Sequence, residues 1–110
     1  YTVDVTNPFF RQSMDVNEDV QKKKFVRVTL KEIVNPALLA ISFDLYLIDG
    51  DKREMLGSVA PFPANNPGSY IIATGGKLRA SGQLELSLKY PDDWNKKDKL
   101  SVKVLPLTFE

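Results

Sequence analysis

Alternation of apolar and polar residues in four separate segments is the feature that most constrains this chain. In the first segment Val26, Val28 and Leu30 alternate with Arg27 and Thr29, and the same period recurs over residues 41–47, 84–90 and 100–104. A period of two places successive side chains on opposite faces of a strand, so that one face is buried and the other lies in water. Four such segments predict antiparallel sheets that each bury one face.

Shorter apolar runs and turn residues complete the predicted strand set. Residues 1–6, 55–60 and 69–73 are candidate strands, which brings the number to about seven. The Asp-Gly-Asp sequence at 49–51 predicts a hairpin, and the proline-rich stretch 61–68 predicts a connection between two sheets. Residues 15–24 have little helical periodicity and are expected to form a solvated loop. The prediction is an all-β, immunoglobulin-like antiparallel β-sandwich occupying residues 1–110 as one domain.

Composition excludes several classes of function. The 110-residue chain contains neither histidine nor cysteine, so imidazole bases, thiol nucleophiles and the usual zinc and copper ligands are absent. Lys plus Arg number 15 against 14 for Asp plus Glu, a balance too even to attract nucleic acid. We expect no enzymatic activity, no cofactor, no metal and no membrane insertion. Because the sequence opens at Tyr1, we expect a domain excised from a longer chain, in an extracellular or periplasmic location.

The charged clusters of the sequence are interpreted as residues of loops, turns and solvent-facing strand positions. The basic run Lys22-Lys23-Lys24 suggests either contact with a phosphate or an acidic partner, or a solvated loop that protects a sheet edge, and the second interpretation is preferred. The acidic pairs at 49 and 51 and at 92 and 93 supply too few oxygens for calcium and are interpreted as turn formers. Acidic residues within strands are expected to point to solvent: Glu32, Asp44 and Glu85.

Four aromatic residues are the candidate interaction residues. Trp94 and Tyr90, with Tyr70, suggest a stacking platform for a sugar, although a lone tryptophan in a loop more often caps a core. Phe62 stands between Pro61 and Pro63 and is therefore a stiff apolar projection. It is expected either to fill the end of its own core, which is the commoner outcome for a large aromatic, or to insert into a partner.

The order of motifs from residue 25 to residue 90 resembles a known family. It runs Phe-Val-Arg-Val-Thr-Leu, Ile-Ser-Phe-Asp-Leu-Tyr-Leu, Leu-Gly-Ser-Val-Ala-Pro-Phe-Pro, Pro-Gly-Ser-Tyr and then a Leu-x-Leu-x-Leu strand. This order resembles the β-sandwich domains that follow the copper domain in tyrosinases and polyphenol oxidases. The resemblance implies a domain that packs over a dicopper site and holds the enzyme latent with an inserted side chain. Since the copper ligands of that family are histidines, it also implies that this chain is the non-catalytic appendage.

The sequence is compatible with three different functions. The first is a non-catalytic accessory domain that packs on or shields a neighbouring domain or partner protein, for which a type 3 copper oxidase is one candidate. The second is an extracellular immunoglobulin-like module used for adhesion or as a spacer. The third is a carbohydrate-binding module that uses Tyr70, Tyr90 and Trp94. The first predicts an exposed apolar patch where the neighbour docks.

Overall fold

The alternating segments form strands wherever an apolar face can be buried against a second sheet. A computed structural model of the chain describes residues 1–14, 19–79, 81–91 and 99–110. Within these ranges lie nine strands: β1 (Thr2–Asp4), β2 (Phe9–Ser13), β3 (Phe25–Val34), β4 (Ser42–Asp49), β5 (Lys52–Val59), β6 (Gly68–Ala73), β7 (Gln83–Lys89), β8 (Ser101–Val104) and β9 (Thr108–Phe109). A 3₁₀ turn spans Val20–Lys22.

Two antiparallel sheets pack face to face, which confirms the predicted all-β sandwich. Sheet I has the order β1-β8-β3-β6, with β9 also pairing with β3, and sheet II has the order β2-β7-β4-β5. All seven strand pairings are antiparallel. The structure has more strands than the seven expected, because β2 carries no alternating apolar pattern and the alternation of Leu107 and Phe109 is too short to predict β9 as a separate strand. Both strands pair with a neighbouring strand, and Phe10 and Phe109 pack against the core.

The connections differ from the immunoglobulin order that was expected. The pairs β4–β5, β3–β6, β2–β7 and β1–β8 are nested around the β4–β5 turn, as in a long hairpin that has been folded over. Apart from the short β9, which adds to sheet I, this interleaving of two four-stranded sheets is the arrangement of a jelly roll, whereas immunoglobulin domains group their strands as ABED and CFG. The correction has a simple cause. Short alternating strands and turn residues look alike in both topologies, so only the long-range pairing distinguishes them.

The core is built from the inward set of each alternating strand. Sheet I contributes Val26, Val28 and Leu30, and sheet II contributes Phe43 and Leu45, all at most 1% exposed. Six further inward-facing residues are also buried: Leu47, Leu84, Leu86, Leu88, Val102 and Val104. The sequence pattern therefore predicts the core correctly. Filling the space between two sheets leaves the loops at the two ends of the sandwich as the places where the surface can vary.

The segment that was expected to be a solvated loop is partly structural. Val20 begins the 3₁₀ turn and is 1% exposed, so it belongs to the core. The segment has only Val16 and Val20 at helical spacing, which is too few apolar residues to predict a buried turn. Two other expectations hold: the 49–51 turn joins β4 to β5 as a hairpin, with Gly50 at a φ of +64°, and the 61–68 stretch leads from sheet II to sheet I.

The turn between β1 and β2 gives the fold a pH dependence. The Asp4 carboxylate accepts hydrogen bonds from the Thr6 hydroxyl at 2.6 Å and from the Thr6 and Asn7 amides, both at 2.9 Å. The Thr6 hydroxyl and the Asn7 amide are the main causes that lower the pKa of Asp4 below its ordinary value of 3.8. A lowered pKa means that these bonds stabilise the fold above that ordinary value and are lost as the pH falls through the lower, folded-state value.

We predict that Asp4→Ala lowers the free energy of unfolding at neutral pH. The difference in free energy between the variant and the parent protein is expected to decrease as the solution is acidified. The reason is that protonation removes from the parent protein the same charge-assisted bonds that the substitution removes. Urea unfolding of both proteins at neutral pH and at about pH 3 tests this expectation. An equal difference at both pH values would contradict it.

Candidate functional site

The connection between β5 and β6 carries the most exposed large apolar side chain of the described residues. Pro61 is buried at the start of the connection, while the Phe62 side chain is 88% exposed. The expectation that Phe62 fills the end of its own core is therefore wrong. The flanking prolines restrict the backbone, so the ring is held away from the core at the end of the sandwich.

Hydrogen bonds within the connection hold this projection in place. The Asn66 amide donates to the Pro63 carbonyl at 2.9 Å, and the Asn66 side-chain Nδ2 donates to the Phe62 carbonyl at 3.2 Å. These two bonds close a tight turn directly behind the ring. Together with the prolines they leave the backbone around Phe62 few alternative conformations.

A buried asparagine ties this turn to a second loop. Asn35 is 3% exposed, and its Nδ2 donates to the Leu39 carbonyl at 2.9 Å and to the Ala64 carbonyl at 3.1 Å. Its Oδ1 accepts the Leu39 amide at 3.0 Å. One side chain thereby satisfies backbone groups of both loops, so the loop after β3 and the loop before β6 form one unit.

The two loops enclose an open apolar groove of about 440 Å³. We call it the apolar apex, and its lining residues are Leu38, Ala40, Ile41 and residues 60–64. Leu38 is 55% exposed and has a φ of +52°, a conformation that leucine rarely adopts. The lining contains no ionisable group, so the apex has no means of transferring a proton or of binding a metal. What it offers is apolar surface on a restrained backbone.

The other three candidate residues do not gather around Phe62. Tyr70 lies opposite the buried Val28 on β6 and packs against the core, so its ring is not a free platform. Tyr90 follows β7 in the other sheet and is 37% exposed. Trp94 lies outside the described residues. Tyr70 and Tyr90 thus belong to different sheets and do not share a strand face.

Glu85 corrects the expectation that every acidic residue of a strand points to solvent. It lies on the outer face of sheet II, as alternation predicts, but its side chain is 1% exposed. Its Oε2 accepts Arg11 Nε and its Oε1 accepts Arg53 Nη2, both at 2.8 Å. The Arg53 guanidinium also lies 4.0 Å from the centre of the Tyr46 ring. Both arginines therefore cover and neutralise the carboxylate, joining β2, β7 and β5.

This cluster has a structural role rather than a catalytic one. Each carboxylate oxygen of Glu85 already accepts a hydrogen bond from an arginine, and the planar guanidinium geometry suits such pairs. Sequence reasoning missed the cluster because its members lie 32 and 74 residues apart along the chain. Among the described residues, no group of three or more acidic side chains lies close enough together to hold a metal ion.

We predict that Asn35→Ala lowers the free energy of unfolding by about 2 kcal/mol, because it leaves buried backbone groups without partners. The matched control is Asn66→Ala, which removes one exposed side-chain bond and is expected to change stability by less than about 0.5 kcal/mol. Thermal unfolding measures both variants. Equal effects would show that Asn35 does not tie the two loops together.

We predict that Glu85→Ala lowers the free energy of unfolding by about 2 kcal/mol, because Arg11 and Arg53 lose the carboxylate that they share. The loss is no larger because both arginines are half-exposed, so that water replaces part of the interaction. Glu54→Ala serves as the control, since its ion pair with Lys77 is formed by two exposed side chains and contributes at most about 1 kcal/mol. Urea unfolding of the two variants compares them directly. A larger loss in the Glu54 variant would contradict the assignment.

Comparison with known proteins does not indicate a function for this chain. No protein-family model matches the chain, and no curated protein matches it. In the part of the chain that is described, no helix has the length and apolar character needed to span a membrane.

Proposed function

We propose that this chain is a non-catalytic accessory β-sandwich that packs on a neighbouring domain or partner protein through the apolar apex. The observation that carries the proposal is the 88% exposure of Phe62 on a backbone that prolines and asparagine hydrogen bonds restrain. A large aromatic ring in water is unfavourable unless it becomes buried elsewhere. Burial of one such side chain contributes about 1.5–3 kcal/mol to an association.

The restrained backbone favours binding over chance exposure. A side chain on a mobile loop loses conformational freedom when it binds, at a cost of about 0.5–1.5 kcal/mol for each immobilised group. The bonds from Asn35 and Asn66 mean that part of this ordering is already complete in the free domain. Aromatic anchors in such positions commonly contribute most of the energy of an interface.

The chemistry of the apex lining indicates which kind of partner surface is complementary to the apex. Leu38, Phe62 and the prolines offer no charge, so the complementary surface is an apolar depression wide enough for a phenyl ring. The entrance to an enzyme active site is one surface of this kind. The resemblance to the sandwich domains of tyrosinases makes a type 3 copper oxidase domain the first partner to test. In that pairing Phe62 enters the substrate entrance and lowers turnover, and the copper belongs wholly to the partner.

An extracellular adhesion or spacer module and a carbohydrate-binding module are the alternatives. A spacer has no need of an exposed ring on a restrained turn. A sugar platform needs aromatic rings on one face, whereas Tyr70 packs against the core and Tyr90 follows a strand of the other sheet. We therefore place both alternatives below docking through the apex.

We predict that the domain inhibits a type 3 copper oxidase domain that lacks its own sandwich domain. Phe62→Ala is expected to weaken the inhibition on the order of thirtyfold, because an anchor worth about 2 kcal/mol is lost. The control is Phe9→Ala, which removes a 40% exposed phenylalanine from the outer face of β2 and is expected to leave inhibition unchanged. The rate of diphenol oxidation before and after mixing is the measurement.

A second measurement separates the apex from the identity of its partner. A photo-crosslinking phenylalanine analogue at position 62 is expected to capture one protein in the native cell, and the same analogue at position 9 is not. If neither inhibition nor a position-specific crosslink is found, docking through the apex is refuted. A specific crosslink without inhibition would retain the docking role and remove the copper oxidase as the partner.

A further inference from the structure

The free edge of sheet I lacks the protection that the other sheet edges have. Within the described residues, β6 pairs with β3 alone and therefore ends the sheet. Edge strands usually carry charges or prolines that prevent pairing with another chain. The other long sheet edges carry charged residues: Asp4 in β1, Arg11 in β2, and Lys52, Arg53 and Glu54 in β5. The sequence of β6, in contrast, is Gly-Ser-Tyr-Ile-Ile-Ala. Of the edge strands within the described ranges, β6 is the longest that has neither a charged residue nor a proline; β9 has none either, but its two residues offer little backbone for pairing.

The lysine run precedes an internal strand and lies beside the end of the edge strand β6. It leads into β3, an internal strand that pairs with β6 on one side and with β8 and β9 on the other. The lysines line a cleft of about 580 Å³ near the end of β6. We call it the lysine cleft, and its lining residues are Lys22, Lys23, Lys24, Phe25, Ala73, Gly75 and Gly76.

Hydrogen bonds hold the backbone of the lysine cleft in position. Thr74 is 1% exposed, and its hydroxyl donates to the Lys23 carbonyl at 3.1 Å while its amide donates to the Lys24 carbonyl at 2.9 Å. The amides of Lys24 and Phe25 both donate to the Glu110 carbonyl, at 2.7 and 2.9 Å. The run is therefore anchored to the turn after β6 and to the end of β9, rather than free in a loop.

Within the described residues, the cleft lysines have few acidic partners; Asp15 and Glu18, which precede the run in the sequence, lie outside those residues. Lys22 lies 3.5 Å from Asp19, and both of these side chains are exposed. Neither Lys23 nor Lys24 forms an ion pair with a residue that the structure describes. Beside the cleft, Phe25 is 40% exposed and Ile71 is 44% exposed on the outer face of the same sheet. The edge thus combines free backbone, apolar side chains and positive charge.

We infer that the edge of β6 and the lysine cleft together take an extended acidic segment of a partner protein. The segment adds to sheet I as a further strand, so that its backbone pairs with β6 while its carboxylates reach the lysines. Its alternate apolar side chains contact Ile71 and Phe25. Charge complementarity favours an acidic partner over a second copy, because β6 has no acidic residue and two copies would bring Lys31 and the cleft lysines of each together.

This surface is separate from the apolar apex. The lysine cleft lies before the start of β3, whereas Asn35 and the apex follow its end. Ten extended residues span roughly 33 Å, so the cleft and the apex lie near opposite ends of β3, and they share no lining residue. The inference therefore does not depend on the proposed function of Phe62.

The test uses a synthetic peptide of alternating valine and glutamate, about eight residues long, so that it can cover β6. One control peptide replaces glutamate with lysine, and another is N-methylated at every residue, which keeps the carboxylates but removes the backbone donors. Fluorescence anisotropy at low salt measures binding. Amide hydrogen exchange shows whether residues 68–73 gain protection when the peptide binds.

Matched triple variants test the contribution of the lysines. Substitution of Lys22, Lys23 and Lys24 by glutamine is expected to weaken binding on the order of tenfold, as three partly exposed ion pairs predict. The control replaces three other exposed lysines by glutamine and is expected to change binding less than about twofold: Lys52, Lys89 and Lys103. Thermal unfolding confirms that both triple variants fold.

The expected result is binding of the glutamate peptide alone, with protection at β6 and sensitivity to the cleft lysines. Absence of binding, equal binding of the lysine peptide, or equal binding of the N-methylated peptide would overturn the inference. So would a concentration-dependent dimer of the free domain with protected β6 amides, because a second copy would then occupy the edge.

Discussion

Burial of two alternating apolar faces against each other is the constraint on which the rest of this structure depends. Strands β3, β4, β7 and β8 contribute alternate side chains to the space between sheets I and II, and those side chains are almost completely buried. Apolar burial of this kind is the main favourable contribution to folding. Because it occupies both inner faces, it leaves function to the outer faces, the sheet edges and the loops at the ends.

The nested pairing of the strands decides which loops meet. Pairs that close around the β4–β5 turn bring the loop after β3 beside the loop before β6, although about 25 residues separate them along the chain. Asn35 then joins the two loops through the Leu39 and Ala64 carbonyls. The exposed ring of Phe62 is thus a product of topology, since in another strand order the same Pro-Phe-Pro sequence would have different neighbours.

The two surfaces proposed for binding use different physics. The apolar apex offers one restrained ring and an uncharged lining, which suits burial in a depression of a folded partner. The edge of β6 offers unpaired backbone and nearby lysines, which suits an extended chain. The lysine cleft and the apolar apex lie near opposite ends of β3 and share no lining residue.

Much of the fold could be predicted from the sequence, because strand periodicity reports local burial. The alternation at Val26, Val28 and Leu30 identified core residues, the Asp-Gly-Asp turn identified the hairpin, and the absence of histidine and cysteine excluded whole classes of chemistry. Local patterns do not report which distant strands pair. The jelly-roll order, the burial of Glu85 between Arg11 and Arg53, and the exposure of Phe62 were therefore decided only by tertiary structure, since each depends on contacts between residues far apart in the chain.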